Sequence, residues 1–185
     1  METRRDSYAA LPARELPRPY RPAAGCALSI KSNQDFDDMI QALTASGVEF
    51  VIVGAYAMAA HGSPRATADI DIFVRPTKRN AAHVIEALER FGAPIEAHAI
   101  TSTDFARPGS VYQIGLPPRR IDILTSISGV TFSEAIRNAI SGPFGGQLVR
   151  FIGKRALIRN KRATGRTKDM ADVEVLEQSA PPRRH

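Results

Sequence analysis

The sequence predicts a mixed α/β fold, with one central sheet flanked by helices, and three observations predict it. Short apolar runs of strand length interleave with stretches whose apolar residues recur at helical spacing. Glycine and proline mark the changes between them, as at Gly47, Gly54, Gly62 to Pro64 and Pro76. With 185 residues the chain is long enough for one well-buried domain, yet too short and too irregular for a barrel or a full doubly wound sheet.

Residues 1 to about 32 carry Pro12, Pro17, Pro19 and Pro22 among Arg14, Arg18 and Arg21, with little apolar periodicity. Such a segment buries too little to offset its ordering entropy, so a mobile basic tail is expected, with a nucleic-acid-binding arm as the functional alternative. The domain is expected over residues 33–178, followed by a disordered C-terminus at 179–185. Ser32 or Asn33 can cap a helix to about Ala45, in which Phe36, Ile40 and Leu43 form a stripe widened by Met39 and Ala42. Gly47 closes it. The first strand is the apolar run of Val48 and Phe50 to Val53, followed from Gly54 by a short alanine-rich helix and, after a loop at Gly62, Ser63 and Pro64, by a strand carrying Asp69 and Asp71.

Beyond the break at Pro76 and Thr77, the spacing of Ala81, Val84, Ile85, Leu88 and Phe91 predicts a helix over Lys78 to Phe91, with His83 beside the stripe as a surface or packing residue. Ile95 to Phe105 is ambiguous, and His98 and Asp104 within it are unassigned. Val111 to Gly115 and Arg119 to Thr125 read as two strands joined through Leu116, Pro117 and Pro118. Phe132 to Ile140 is expected as a helix with Thr131 or Ser133 near its cap, and Gly142 to Gly146 as a loop. A strand over Gln147 to Ile152 and helices over Lys154 to Thr164 and Lys168 to Gln178 complete the domain.

The chain is organised around Val51 to Val74, VIVGAYAMAAHGSPRATADIDIFV. Strand alternation puts Asp69 and Asp71 on one face and Ile70 and Ile72 on the other. Two adjacent carboxylates flanked by apolar residues repel each other and resist desolvation, and a divalent cation is the simplest remedy. On an exposed edge strand facing water the same triplet needs no metal. What weighs toward a site is Gly54 at a strand-to-helix junction, where free amides favour a phosphate.

With the apolar strand, Gly54 and Ala55, the short helix and the apolar-flanked Asp69-x-Asp71, the chain resembles the nucleotidyltransferase superfamily of polymerase-beta-like fold. Arg65 and Thr67 upstream give the R-x-T-x-D-x-D form typical of the branch related to AbiEii-type toxins, and the resemblance covers roughly residues 33 to 178. It implies a phosphate turn at Gly54 and Ala55, with Arg65 and Thr67 beside the nucleotide. It implies a third acidic residue on a neighbouring strand, best matched by Asp122, completing with Asp69 and Asp71 a catalytic site for one or two Mg²⁺ ions. The segment KRATGRTKDMAD is similar to a C-terminal signature of the same branch, which makes Lys161 and Lys168 candidates for contacting the triphosphate or acceptor, with Asp169 fixing a lysine or arginine.

Each assignment has a structural alternative. Asp122 lies between Ile121 and Ile123, on one face with Arg120 and Leu124, and its alternative is a buried aspartate paired with Arg119 or Arg120, although the motif upstream favours the catalytic role. Asp169 and Asp172 would also complement the first turn of the last helix. Ala55 stands where many relatives have Gly or Ser, so only backbone amides are available there. His61 could adjust the loop near the phosphates or serve structure alone.

From Arg150 to Lys168 there are eight basic residues and no acidic one. Arg155, Arg159 and Arg162 recur at helical spacing and, with Arg166, are candidates for binding an anionic acceptor; a solvated charged face is the alternative. The net charge of +6 favours a nucleotide or nucleic acid partner, and no long apolar run suggests a membrane. Cys26, the single cysteine, excludes an intramolecular disulfide and makes a cysteine zinc site implausible, so reducing cytoplasm is the default location. No secretory signal is expected, because no apolar core segment follows Arg4 and Arg5. The expectation is a Mg²⁺-dependent transfer of a nucleoside monophosphate from an NTP to a hydroxyl, on RNA such as tRNA by charge and in a toxin–antitoxin setting by resemblance. The alternatives are an AMPylase-like enzyme modifying a partner toxin or antitoxin protein, and a non-catalytic nucleotide- or RNA-binding module.

Overall fold

A computed structural model describes residues 33–178; the expected basic tail and disordered C-terminus lie outside the described residues. Helix α1 (Gln34–Ala45) is capped by Asn33, whose side chain accepts from the Asp35 amide at 3.0 Å, and it buries Phe36, Met39, Ile40 and Leu43. Strand β1 (Phe50–Ile52), helix α2 (Gly54–Ala60) and strand β2 (Asp69–Val74) follow. Helix α3 (Lys78–Phe91) is capped by Thr77 and buries Val84 and Leu88. The buried Asn80 receives the Glu49 amide at 2.7 Å and donates to the Glu49 and Arg75 carbonyls, tying the start of α3 to the ends of β1 and β2.

The ambiguous stretch contains a one-turn helix, α4 (Ser102–Phe105), in which Asp104 accepts from the Thr101 amide and hydroxyl, while His98 contacts the Tyr112 hydroxyl at 3.1 Å. Strands β3 (Val111–Ile114) and β4 (Arg120–Leu124), helix α5 (Phe132–Ile136), strands β5 (Ile140–Phe144) and β6 (Gln147–Phe151), and helices α6 (Lys154–Thr164) and α7 (Thr167–Gln178) complete the chain. The six strands form one mixed sheet in the order β3-β4-β2-β1-β6-β5. Strand pairs β2/β4 and β1/β6 are parallel, and the other three are antiparallel.

Two expectations fail in the same region. The helix from Phe132 stops at Ile136, because the amides of Asn138 and Ala139 both turn back to the Ile136 carbonyl, and Ile140 begins a strand instead. The supposed loop at Gly142 to Gly146 is β5 followed by a two-residue turn in which Gly145 and Gly146 have φ of 56° and 75°. Pro143 is tolerated there because β5 is an edge strand and pairs only with β6. Positive φ at both central residues is what a tight type I′ hairpin requires, and glycine supplies it without strain.

Candidate functional site

The site begins with strand register. Parallel pairing sets Asp69 beside Arg120 and Asp71 beside Asp122, while Ile70 and Ile72 pair with Ile121 and Ile123. The four isoleucines are buried in the core, so the polar residues project from the opposite face of the sheet. The Val53 amide donates to the Asp71 carbonyl at 3.0 Å, bringing the start of α2 against this row. A Cβ on Gly54 would lie 2.0 Å from Asp71 Oδ2, and Gly54 has φ of +64°, so glycine is required there by contact and by backbone conformation alike.

Asp69, Asp71 and Asp122 line one open cavity of about 350 Å³, and Gly54, Ala55, Arg65, Thr67, Lys161 and Lys168 line it with them. Arg120 runs between two of the carboxylates, with Nη2 at 2.5 Å from Asp69 Oδ2 and Nε at 3.0 Å from Asp122 Oδ1. The second contact is a charge contact rather than a hydrogen bond, since the Nε–H does not point along it. Gln113 on β3 also donates to Asp122 Oδ1, at 3.2 Å, and the Thr67 hydroxyl donates to Asp69 Oδ1 at 2.8 Å. The Asp71 carboxylate has no hydrogen-bond or ion-pair partner among the described residues. Burial first, then Asp69 and Asp122, push its pKa up to about 6, against the smaller pull of Arg120 and Lys161.

Lys161 is buried and bonds Asp169 Oδ1 at 3.1 Å and Asp172 Oδ2 at 2.5 Å. Arg166 Nε reaches Asp169 Oδ2 at 2.6 Å, and Arg65 Nε lies 3.2 Å from Asp172 Oδ1. The two aspartates therefore fix three cations, joining the loop before β2 to α6 and α7. Burial opposes ionisation of Asp169, but Arg166 and Lys161 outweigh it and hold its pKa below the usual carboxylate value.

The arginines at helical spacing do not all meet this cavity. Arg166 lines it, whereas Arg155 and Arg159 line a separate hollow of about 320 Å³ with Arg137 and Asn138. Asn160, Lys161 and Thr164 are the α6 residues on the carboxylate cavity. Arg159 pairs with Glu134 at 2.8 Å and Arg162 with Glu177 at 2.6 Å. His61 is not among the residues around the carboxylates. It is buried with Nε2 at 2.8 Å from the Ile152 carbonyl, and desolvation lowers its pKa.

Three carboxylates on one face are the hard oxygen donors that Mg²⁺ prefers, and the uncompensated charge of Asp71 is a reason for a cation to enter. Among the described residues, however, no three acidic or histidine side chains converge closely enough to hold a metal as they stand. Arg120 lies against two of the three, with Nη2 on Asp69 and Nε toward Asp122. The donor set thus fits the ion chemically, with a guanidinium already between two of the donors.

Sequence reasoning did not single out Gln113, Ser128, Asn160 or Thr164 as site residues. Gln113 pairs in register with Asp122. A lone amide inside the apolar stretch VYQI was the available signal for it. Asn160 donates to the Ser128 carbonyl at 2.9 Å, tying α6 to the loop after β4, and nothing local in the sequence marks that pairing.

No family model and no curated protein matches the chain. Among solved structures it is similar in fold to the antibiotic-resistance factor ANT(2'')-Ia, an aminoglycoside nucleotidyltransferase, with a TM-score of 0.51 and 14% identity over 77% of this chain and 80% of that one. The fold is therefore nucleotidyltransferase-like: a mixed six-stranded sheet flanked by helices.

Proposed function

We propose that the protein is a Mg²⁺-dependent nucleotidyltransferase, which moves a nucleoside monophosphate from an NTP to a hydroxyl acceptor and releases pyrophosphate. What supports this most is the in-register pairing of β2 with β4, which sets Asp69, Asp71 and Asp122 beside the Gly54 turn in one cavity. One or two Mg²⁺ ions held by those carboxylates would neutralise charge on the phosphate oxygens. The protein's own residues do the rest. The backbone at Gly54 and Ala55, with Arg65 and Lys168, faces the triphosphate, and Lys161 braces that wall through Asp169 and Asp172. Thr67 orients Asp69. As the acceptor oxygen bonds to the α-phosphorus, the bond to the bridging oxygen breaks, pyrophosphate carries off that electron pair, and Asp122 takes the hydroxyl proton. Its Oδ1 is engaged by Gln113 and Arg120, which leaves Oδ2 for the proton.

The acceptor class follows from charge. Basic residues dominate the chain from Arg150 to Lys168, and Arg166 at the cavity with Arg155 and Arg159 around α6 suits a polyanion, so RNA is the favoured acceptor, tRNA first. Incubation with each NTP labelled at the α-phosphate, Mg²⁺, and either total tRNA or cell lysate tests this. Label on RNA supports the reading, whereas label on a protein moves the acceptor to a partner polypeptide. A non-catalytic nucleotide-binding module is the second reading, favoured by the double engagement of Arg120, and NTP binding without transfer in any mixture would establish it.

A further inference from the structure

The site holds four charges within one strand register: three carboxylates and one guanidinium. Arg120 touches the two carboxylates that come from different strands, Asp69 on β2 and Asp122 on β4, and leaves Asp71 bare. An ion bridging Asp69 and Asp122 would need the space between them that the guanidinium fills, because magnesium demands oxygens at about 2.1 Å in near-octahedral order. An ion entering at the Asp71 carboxylate displaces no guanidinium, because Arg120 pairs with Asp69 and Asp122 and not with Asp71. The side chain of Arg120 is also 29% exposed and borders an open cavity, so it can swing away without disturbing the core.

We infer that Arg120 is a resident cation that sets the metal stoichiometry of the carboxylate cluster: one divalent ion enters beside Asp71, and a second binds between Asp69 and Asp122 only by displacing the guanidinium. The inference rests on the proposed metal-binding role of these aspartates. It explains why three carboxylates share a face yet no three converge on a point. It also makes Arg120 a positioning residue, holding β2 and β4 carboxylates at a fixed spacing until the second ion arrives.

The test is Mn²⁺ binding to the full chain, read from the electron paramagnetic resonance of the free aqueous ion, for wild type, Arg120→Gln and Arg120→Lys, with thermal melting to check folding. Wild type should bind one equivalent, with the second weaker by about tenfold or more, whereas Arg120→Gln should bind two of similar strength. Arg120→Lys, which keeps the charge as a compact point, should resemble wild type. Equal stoichiometry and affinity in wild type and Arg120→Gln overturns the inference and leaves the metal role standing. No Mn²⁺ binding by any of the three overturns the metal role itself. On wild type alone, saturating Mg²⁺ should shift the Arg120 Nε–H nuclear magnetic resonance signal, and an unmoved signal contradicts displacement.

Discussion

Burial and two neighbouring carboxylates act on Asp71 with no hydrogen bond to offset them, so its charge is a cost to the protein before any cation binds. Asp71→Asn is therefore expected to stabilise the metal-free protein at pH 7.5 by about 1–3 kcal/mol, which a denaturant midpoint would read. Asp69→Asn should not, because Asp69 is engaged by Arg120 and Thr67 and its charge is already answered. A gain at Asp71 without one at Asp69, two residues on one face, distinguishes a cluster short of positive charge from a solvated edge. A pH effect follows from His61, whose burial lowers its pKa and whose Nδ1 has no hydrogen-bond partner among the described residues. The unfolded chain binds the proton first as pH falls, so the stability that His61 contributes is complete above about pH 6.5 and is lost below it. His61→Gln should flatten that limb in melts from pH 7.5 to 5. At this scale the aspartates were legible because alternation fixes the face of every residue on a strand. The pairing of Asp122 with Arg120 was one of the alternatives open in the sequence, but alternation says nothing about how far that side chain also reaches, to Asp69.

Elements with a uniform environment could be read from spacing alone. Helix α6 runs from Lys154 to Thr164 and α3 from Lys78 to Phe91, the bounds expected from the sequence, α3 on its apolar stripe. The boundary between α5 and β5 was hidden because Phe132, Ile136 and Ile140 fit helical spacing, while Gly142 and Pro143 look like breakers unless the strand is known to be an edge. Sheet order was likewise beyond local pattern, although β2 and β4 must be neighbours for Asp122 to join Asp69 and Asp71. Lys161 shows how an element can borrow a candidate ligand for its own packing: it is 5% exposed in its side chain and bonds two aspartates of α7. Lys161→Met should cost about 3 kcal/mol of stability by leaving those carboxylates underpaired, and Asp169→Asn with Asp172→Asn in the same chain should recover part of it. A drop in nucleotide affinity without loss of stability would instead make Lys161 a direct phosphate ligand.

Across the whole molecule, charge and cavities divide by face. Helix α6 separates a carboxylate cavity, walled by Lys161, Arg166 and Lys168, from a second hollow bearing Arg137, Arg155 and Arg159. Helical spacing showed that the arginines line up but not which side of α6 the sheet would take. If the outer hollow carries acceptor phosphates, Arg155→Ala with Arg159→Ala should weaken tRNA binding and make its salt dependence shallower by about two units in log–log slope. An unchanged slope would mean that those arginines take no part in tRNA binding. No helix among the described residues is long and apolar enough to cross a membrane. The central claim, that carboxylates from β2 and β4 serve one phosphoryl-transfer centre beside the Gly54 turn, meets its most direct test in transfer of the labelled α-phosphate from NTP by wild type and by Asp71→Asn. Transfer by wild type and none by the folded variant is the predicted result; equal transfer by both would contradict it.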